Sequence, residues 1–326
     1  MAQPSHIFIV GIPRSGTSVL RNILNCSESI AICGETHFLG SPKTGPRLLK
    51  YVVNHPAKVA DRGTLPPWKK PANPGSRQAF ARVSDISTDT GAEKVVDYIY
   101  NNHPTFWGWV AEHVDRQEFL CRLMESDRTD RSLFDLLMAF YADASGKPIR
   151  GEKTPDHIHH VPTLLGWFPN AKIVHMFRDP RAVFVSHRGK NFKRQNISSR
   201  HRIFRQSPLA YEAYLSIDIA IHWLRIAQLH HQYQQLYPNS YYLCKFEDLV
   251  SDPGAHLKRI CDFLGIDFVE TMLKLSFQNS SLIPRHQVQG FDAAAADRWR
   301  KHLHPVTNKW FVWWSKKHLL EFGYQL

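Results

Sequence analysis

The chain has 326 residues, 43% of them apolar and 21% charged, with a mean hydropathy of −0.35. This composition is typical of a globular protein and excludes a disordered, fibrous or membrane-embedded chain. Lysine and arginine number 41 against 29 aspartate and glutamate, so the formal net charge is +12. Such a charge favours a polyanionic or multiply phosphorylated partner without identifying it.

Five cysteines, with neither a C-x-x-C pair nor the spacing of zinc ligands, indicate no disulfide framework and no structural metal. No apolar run approaches the roughly 18 residues that span a bilayer, and residues 1–5 are too few and too polar for a secretory signal. We therefore expect a cytoplasmic protein without a membrane span and without a metal.

Predicted strands alternate with predicted helices along most of the chain. Apolar β-rich runs predict strands at residues 6–10, 30–33, 149–152, 172–177 and 241–246. Apolar residues at helical spacing predict helices at residues 18–24, 89–102, 116–145, 155–168, 207–236 and 254–264, and another that starts at 180. This alternation favours an α/β fold with a central, mainly parallel sheet flanked by helices in three layers.

A proline-rich stretch interrupts this alternation at residues 41–75, where seven prolines predict an irregular surface excursion. We expect a single domain over residues 1–326 with a variable insertion at about residues 41–115.

A glycine-rich loop joins the first predicted strand to the first predicted helix. Its sequence, Gly11-Ile-Pro-Arg14-Ser15-Gly16-Thr17-Ser18, matches G-x-x-x-x-G-K-[S/T] except that Thr17 replaces the lysine. Backbone N–H groups of such a loop bind phosphate together with the positive end of the following helix. Without the lysine, and with Arg14 as an earlier cation, the loop predicts one 5′-phosphate-like ligand rather than a triphosphate with magnesium. The alternative is a tight turn without a ligand.

A second basic motif follows the strand predicted at residues 172–177. Arg178 lies just past the carboxyl end of this strand, where open α/β sheets bind ligands. Ser186 lies eight positions further on and Lys190 another four, and together the three residues would hold a second phosphate. The alternative is an ion pair between Arg178 and Asp179 at the start of a helix, with Lys190 solvated.

The two motifs together resemble those of sulfotransferases that use 3′-phosphoadenosine 5′-phosphosulfate (PAPS). The similarity extends over most of the chain but fails at residues 41–116. It implies a P-loop NTPase-like fold, PAPS as donor and 3′,5′-adenosine bisphosphate as product. It also implies which residues bind the donor. Those for the 5′-phosphosulfate are Arg14, Ser15, Gly16, Thr17 and Ser18, and those for the 3′-phosphate are Arg178 and Ser186.

The tyrosylprotein sulfotransferase branch is the most similar in its motifs, and Lys190 matches a further cationic position of that branch. Residues 297–301 resemble the segment just after a loop that closes over the nucleotide. Arg298 is therefore a further candidate for the 3′-phosphate, with a basic helix face as the alternative.

The acceptor hydroxyl must lose a proton, so a general base is needed near the phosphosulfate loop. Glu35 and His37 follow the second predicted strand. Glu35 lies 21 residues beyond Arg14, as the catalytic glutamate does in the tyrosylprotein branch, and is the expected base. His37 is the alternative, because sulfotransferases of small molecules use a histidine. A loop carboxylate that merely pairs with an arginine is the structural alternative for Glu35.

Lys153 ends another predicted strand, so its side chain is expected in the same crevice. A cation there would neutralise charge on the bridging oxygen as the nucleotide leaves, and the relatives carry a lysine in an equivalent motif. The alternative is a lysine paired with Glu152. His157, His159 and His160 follow, and we expect them to be structural rather than metal ligands.

The expected function is transfer of a sulfuryl group from PAPS to a hydroxyl of a carbohydrate, small molecule or peptide tyrosine. His37 and Ser41 stand where the tyrosylprotein relatives have arginines, which weakens the tyrosine option. One alternative is a phosphotransferase or kinase of the P-loop class, which the missing lysine disfavours. A non-catalytic polyanion-binding protein is another, and it would leave Arg14, Glu35 and Lys153 unexplained. No nucleic-acid partner and no membrane span are expected.

Overall fold

A five-stranded parallel sheet forms the centre of the molecule. The computed structural model describes residues 5–40, 83–101, 106–193, 207–274, 276–277 and 288–326. The strands lie in the order β2-β3-β1-β4-β5, and every neighbouring pair is parallel. Their bounds are β1 (His6–Gly11), β2 (Ile30–Cys33), β3 (Ile149–Lys153), β4 (Lys172–Phe177) and β5 (Tyr241–Lys245). The α/β fold with a central sheet flanked by helices is therefore confirmed, and each strand ends within one residue of its prediction.

Two hydrophobic cores cover the two faces of this sheet, because successive side chains of a strand point to opposite sides. Phe8 and Val10 of β1 belong to one core, and Ile7 and Ile9 belong to the other. All six residues of β1 are buried. A central strand that is apolar along its whole length is the expected signature of a sheet with helices on both faces.

Eleven α-helices surround the sheet within the described ranges. They are α1 (Thr17–Leu24), α2 (Asp89–Asn101), α3 (Phe106–His113), α4 (Arg116–Met124), α5 (Asp130–Ser145), α6 (Val161–Trp167), α7 (Pro180–Lys193), α8 (Pro208–Leu236), α9 (Phe246–Ser251), α10 (Pro253–Leu264) and α11 (Pro305–Glu321). Short 3₁₀ turns cover Pro155–His160, Glu270–Leu273, Ala293–Ala295 and Arg298–Lys301. A small antiparallel pair joins Ser276–Phe277 to Val288–Gln289. Within the described ranges, the structure contains no helix long and apolar enough to cross a membrane.

The helix predicted over residues 116–145 is two helices, α4 and α5. Thr129 caps α5, and its hydroxyl and that of Ser132 bond reciprocally to each other's backbone N–H groups. Arg128, just before this cap, has a φ of 51° that no helix interior allows. Local side-chain bonds therefore outcompete continuation of the helix.

Two further helix predictions are corrected by the structure. The helix predicted at residues 155–168 begins as a 3₁₀ turn and becomes α-helical only at Val161. Helix α3, which carries Gly108 in its first turn, and helix α9 were not predicted. The proline-rich residues 41–75 lie outside the described residues.

Candidate active site

The glycine-rich loop at the end of β1 fits closely against its neighbours. Gly11 has a φ of 148°, and a Cβ there would lie 2.2 Å from the carbonyl oxygen of Met176 on β4. Only glycine is compatible with this approach. Gly16 is the N-cap residue of α1 and has a φ of 101°. No side chain caps the helix, and its first turn contains no acidic residue. The amino end of α1 therefore keeps its positive potential for an anion.

The side chains of this loop differ in their environments. Ser15 and Thr17 are buried, whereas Ser18 is exposed. Ser15 Oγ has no hydrogen-bond partner among the described residues. Arg14 has a φ of 77°, a left-handed conformation that is costly for a non-glycine residue and is concentrated at functional sites. Its Nε donates a hydrogen bond to Ser186 Oγ at 3.0 Å, so the Arg14 side chain lies against α7.

Arg178, just past the end of β4, packs beneath this loop. Its Nη1 donates to the carbonyl oxygen of Arg14 at 3.2 Å, and its Nη2 donates to that of Ala295 at 3.1 Å. The guanidinium carbon lies 3.9 Å from the centre of the Phe246 ring. Burial lowers the pKa of Arg178 to about 10, which still leaves it charged at neutral pH. The structure thus brings Arg14, Arg178 and Ser186 together.

Asp179 does not form the side-chain ion pair with Arg178 that the sequence allowed. Its carboxylate pairs with Arg181 at 2.7 Å, and both side chains are almost fully buried. Arg178 therefore directs two of its guanidinium nitrogens at backbone carbonyls instead.

Glu35 and His37 leave the end of β2 and meet Lys153 at the end of β3. One carboxylate oxygen of Glu35 accepts a hydrogen bond from Lys153 Nζ, and the other lies 3.3 Å from His37 Nε2. Lys153 is only 4% exposed, against 34% for Glu35 and 44% for His37. His37 has a φ of 51°, a second left-handed residue at this edge of the sheet. The pairing of Lys153 with Glu152, which the sequence left open, is therefore wrong.

Electrostatics in this cluster favour the charged forms. Partial burial raises the pKa of Glu35, but the hydrogen bond from His37 and the charge of Lys153 outweigh it and hold the pKa at about 2. The hydrogen bond to Glu35 in turn raises the pKa of His37 above its ordinary value. An ionised Glu35 is consequently available at any pH near neutrality, flanked by two cationic partners on the acid side.

The cluster and the glycine-rich loop leave the sheet at the same edge. Ile9 of β1 lies opposite Lys153 of β3, and Cys33 of β2 lies opposite Glu152. Adjacent strands are about 4.8 Å apart, so the three chain segments emerge side by side. This is the edge at which parallel α/β sheets bind ligands.

The structure gives different information on the two remaining candidate donor-binding residues, Lys190 and Arg298. The side chain of Lys190, on α7, lies outside the described part of the molecule. Arg298 forms an ion pair with Asp292. The segment that carries Asp292 and Arg298 contacts Arg178 through the carbonyl oxygen of Ala295.

Sequence analysis missed two residues that hold the Glu35 segment. Glu152 is fully buried and hydrogen-bonded to Thr36, and Trp107 Nε1 donates to the carbonyl oxygen of Thr36 at 2.9 Å. A carboxylate inside a predicted central strand was the available signal for Glu152. Trp107 offered none, because it contacts the segment only through tertiary structure.

Comparison with known proteins identifies the class of this protein. The sequence profile of the sulfotransferase family matches residues 4–270. The chain belongs to this family.

One curated relative is the ω-hydroxy-β-dihydromenaquinone-9 sulfotransferase Stf3 of Mycobacterium bovis, which is 26% identical over 165 residues. The Stf3 protein of Mycobacterium tuberculosis matches to the same extent. The match covers 50% of this chain and 39% of the relative, so the chain spans well under two thirds of Stf3.

Solved structures of sulfotransferase domains share the fold. The domain from the Synechococcus PCC 7002 olefin synthase has a TM-score of 0.50 and 19% sequence identity. The match covers 100% of this chain and 97% of that domain. The domain from the curacin biosynthetic pathway has a TM-score of 0.50 and 18% identity, with 100% coverage of both chains. At this identity the likeness concerns the fold alone.

Proposed function

We propose that this protein transfers the sulfuryl group of PAPS to an acceptor hydroxyl and releases 3′,5′-adenosine bisphosphate. Family membership supports sulfuryl transfer. The observation that carries the proposal is the direct contact of Lys153 with Glu35 at the sheet edge where the glycine-rich loop leaves β1. A buried cation beside a partly exposed carboxylate provides the two charges that such a transfer requires.

In this proposal the donor lies along the same sheet edge. The loop N–H groups and the amino end of α1 bind the 5′-phosphosulfate, with Ser15, Gly16, Thr17 and Ser18 in contact with it. Arg14 belongs with this set, and Arg178 and Ser186, which each contact Arg14, bind the 3′-phosphate. Lys190 and Arg298 are further candidates there.

The transfer itself is an in-line displacement at sulfur. The acceptor oxygen forms a new S–O bond while the bond from sulfur to the bridging oxygen breaks, and the nucleotide leaves with the electron pair. Glu35 takes the acceptor proton, and Lys153 neutralises the charge that grows on the bridging oxygen. As Lys153 bonds to the bridging oxygen, its interaction with Glu35 weakens. The pKa of Glu35 therefore rises at the moment when Glu35 has to accept a proton.

His37 is the alternative base, and pH dependence separates the two. With Glu35 as base, the pH profile of kcat/KM stays flat from pH 8 to pH 6, because the pKa of this carboxyl is about 2. With His37 as base, kcat/KM falls about tenfold per pH unit below its raised pKa.

A non-peptide hydroxyl is the acceptor class we infer. His37 and Ser41 replace the arginines expected of a tyrosylprotein sulfotransferase. The name of the 26% identical relative specifies a hydroxylated menaquinone, which supports a lipid or small-molecule hydroxyl. All five cysteines are free, which supports a cytoplasmic location.

Calorimetric titration with 3′,5′-adenosine bisphosphate against ATP with magnesium tests the donor assignment. We expect the bisphosphate to bind and ATP with magnesium to bind far more weakly. A preference for ATP would refute the proposal and favour a phosphotransferase.

An acceptor screen with sulfur-labelled PAPS then tests the catalytic roles. Glu35→Ala and Lys153→Ala should lose transfer while retaining most bisphosphate binding. Glu93→Ala and Lys94→Ala, which change exposed residues of α2, are the charge-matched controls. Retained turnover in Glu35→Ala together with loss in His37→Ala would assign the base to His37.

A further inference from the structure

Glu152 is a carboxylate with no exposed surface, on β3 directly before Lys153. Its Oε1 accepts hydrogen bonds from the backbone N–H and the hydroxyl of Thr36, each at 3.0 Å, and from the hydroxyl of Thr154. Its Oε2 accepts one from His157 Nδ1 at 3.1 Å. A buried carboxylate is costly unless donors satisfy it, and here four do.

The hydrogen-bond network extends to each of the four residues that follow Glu35, residues 36–39. The N–H of His37 donates to the Thr154 hydroxyl at 3.3 Å, and that of Phe38 donates to the Thr36 hydroxyl at 3.1 Å. The N–H of Leu39 donates to Nε2 of His157 at 3.2 Å. The backbone N–H groups of residues 36–39 are therefore all linked to Glu152. That of Thr36 bonds to it directly, and the other three bond to a side chain that itself bonds to Glu152.

The protonation of His157 follows from the same bonds. A backbone N–H can only donate, so Nε2 of His157 accepts from Leu39 and carries no proton. The ring proton then lies on Nδ1 and is donated to Glu152. A glutamine at position 152 cannot reproduce these bonds. Its amide N–H would face Nδ1 of His157, so the ring proton would move to Nε2. Two donors, Nε2–H and the Leu39 N–H, would then face each other.

We propose that Glu152 is the positioning residue of the site, which fixes residues 36–39 so that Glu35 meets both Lys153 and His37. The left-handed backbone of His37 is a strained conformation that persists only where its surroundings over-determine it, and the network on Glu152 does so. This role rests on the proposed function, in which Glu35 and Lys153 are catalytic. Glu152 itself is buried behind the segment and acts through it.

The titration of His37 reports this geometry without any donor or acceptor. His37 is faced by the carboxylates of Glu35, Glu152 and Asp156, and its contact with Glu35 is the largest influence on it. In the full chain with ¹³C-labelled histidine, NMR follows the ring signal of His37 against pH, assigned by its disappearance in His37→Gln.

Two variants break the network in different ways. Thr36→Val removes one hydroxyl from Glu152 and one acceptor from Phe38 without changing any charge. Glu152→Gln removes the carboxylate itself. Asp135→Asn is the matched control, because Asp135 is a carboxylate bonded to His6 and Arg150 elsewhere in the molecule.

We expect both network variants to lower the pKa of His37 towards its ordinary value by about half a unit or more, and the control to leave it unchanged. An unchanged His37 titration in folded Thr36→Val would refute the positioning role, even if Glu152→Gln fails to fold. Absence of bisphosphate binding by the wild-type chain would instead refute the proposed function and leave this result intact.

Discussion

Mild acid should destabilise this protein, because four histidines are held in their neutral form by full or partial burial. His175 on β4 and His230 on α8 both contact the hydroxyl of Tyr241, and His159 and His160 lie in the 3₁₀ turn after β3. Burial lowers the pKa of His160 and His230 to about 4. It lowers those of His159 and His175 well below 6.5.

The sign and size of the effect follow from these shifts. Below pH 6.5 the unfolded chain protonates each histidine while the fold does not, so His160 and His230 each remove about 2 kcal/mol of stability between pH 7.5 and pH 5. His159 and His175 act in the same direction. Burial raises the pKa of Glu247 to about 7, so this group takes up its proton first in the folded state and adds about 2 kcal/mol over the same range. His160 and His230 together outweigh Glu247 by about 2 kcal/mol, and His159 and His175 add to this loss, against about 5–15 kcal/mol for the total stability of a typical domain.

Urea unfolding followed by circular dichroism at pH 7.5, 6.5, 5.5 and 5 measures this loss. His160→Asn should flatten the pH dependence by about 1.4 kcal/mol per pH unit below pH 6.5. His302→Asn, at an exposed histidine, is the control and should leave the dependence as it is. A free energy of unfolding that stays constant or rises from pH 7.5 to pH 5.5 would refute the reasoning.

Two other substitutions test the donor side of the site, and a third tests a hydrogen bond that stabilises the fold. Gly11→Ala places a Cβ 2.2 Å from the Met176 carbonyl oxygen, so calorimetry should detect no bisphosphate binding. Arg178→Lys loses the planar fork that bonds two backbone carbonyls, and bisphosphate affinity should fall about tenfold or more, with wild-type affinity as the contradicting result. Tyr324→Phe removes the hydroxyl that donates to Glu247 at 3.1 Å, and urea unfolding should show a loss of about 1–2 kcal/mol; an unchanged midpoint would count against that bond.

Local patterns were enough to predict the sheet and the loop of this protein. Every strand of the five-stranded sheet was predicted, because apolar β-rich runs and the turn residues around them are properties of neighbouring residues. The short antiparallel pair at Ser276–Phe277 and Val288–Gln289 was not predicted. The glycine-rich loop was predicted because its glycines lie at a fixed spacing between a strand and a helix. The break between α4 and α5 was missed because Thr129 and Ser132 hold it through side-chain bonds that periodicity does not register.

The partners within the candidate site could not be predicted in the same way. Glu35 and Lys153 are 118 positions apart, and Thr36 and Glu152 are 116 apart. Only the register of β2 against β3 brings these pairs together, and register depends on the whole sheet. The sequence therefore identified residues of the right chemistry but could not say which carboxylate Lys153 would meet.

Strand geometry explains that choice. Glu152 and Lys153 are consecutive residues of β3, so their side chains point to opposite faces of the sheet and cannot pair with each other. Glu152 meets Thr36, and Lys153 meets the preceding residue, Glu35. The buried carboxylate is saturated by its donors and has no place for a substrate proton, whereas Glu35 is one-third exposed. The alternation of β3 thus directs Glu152 to the segment that begins at Thr36 and Lys153 to Glu35, the carboxylate proposed as the base.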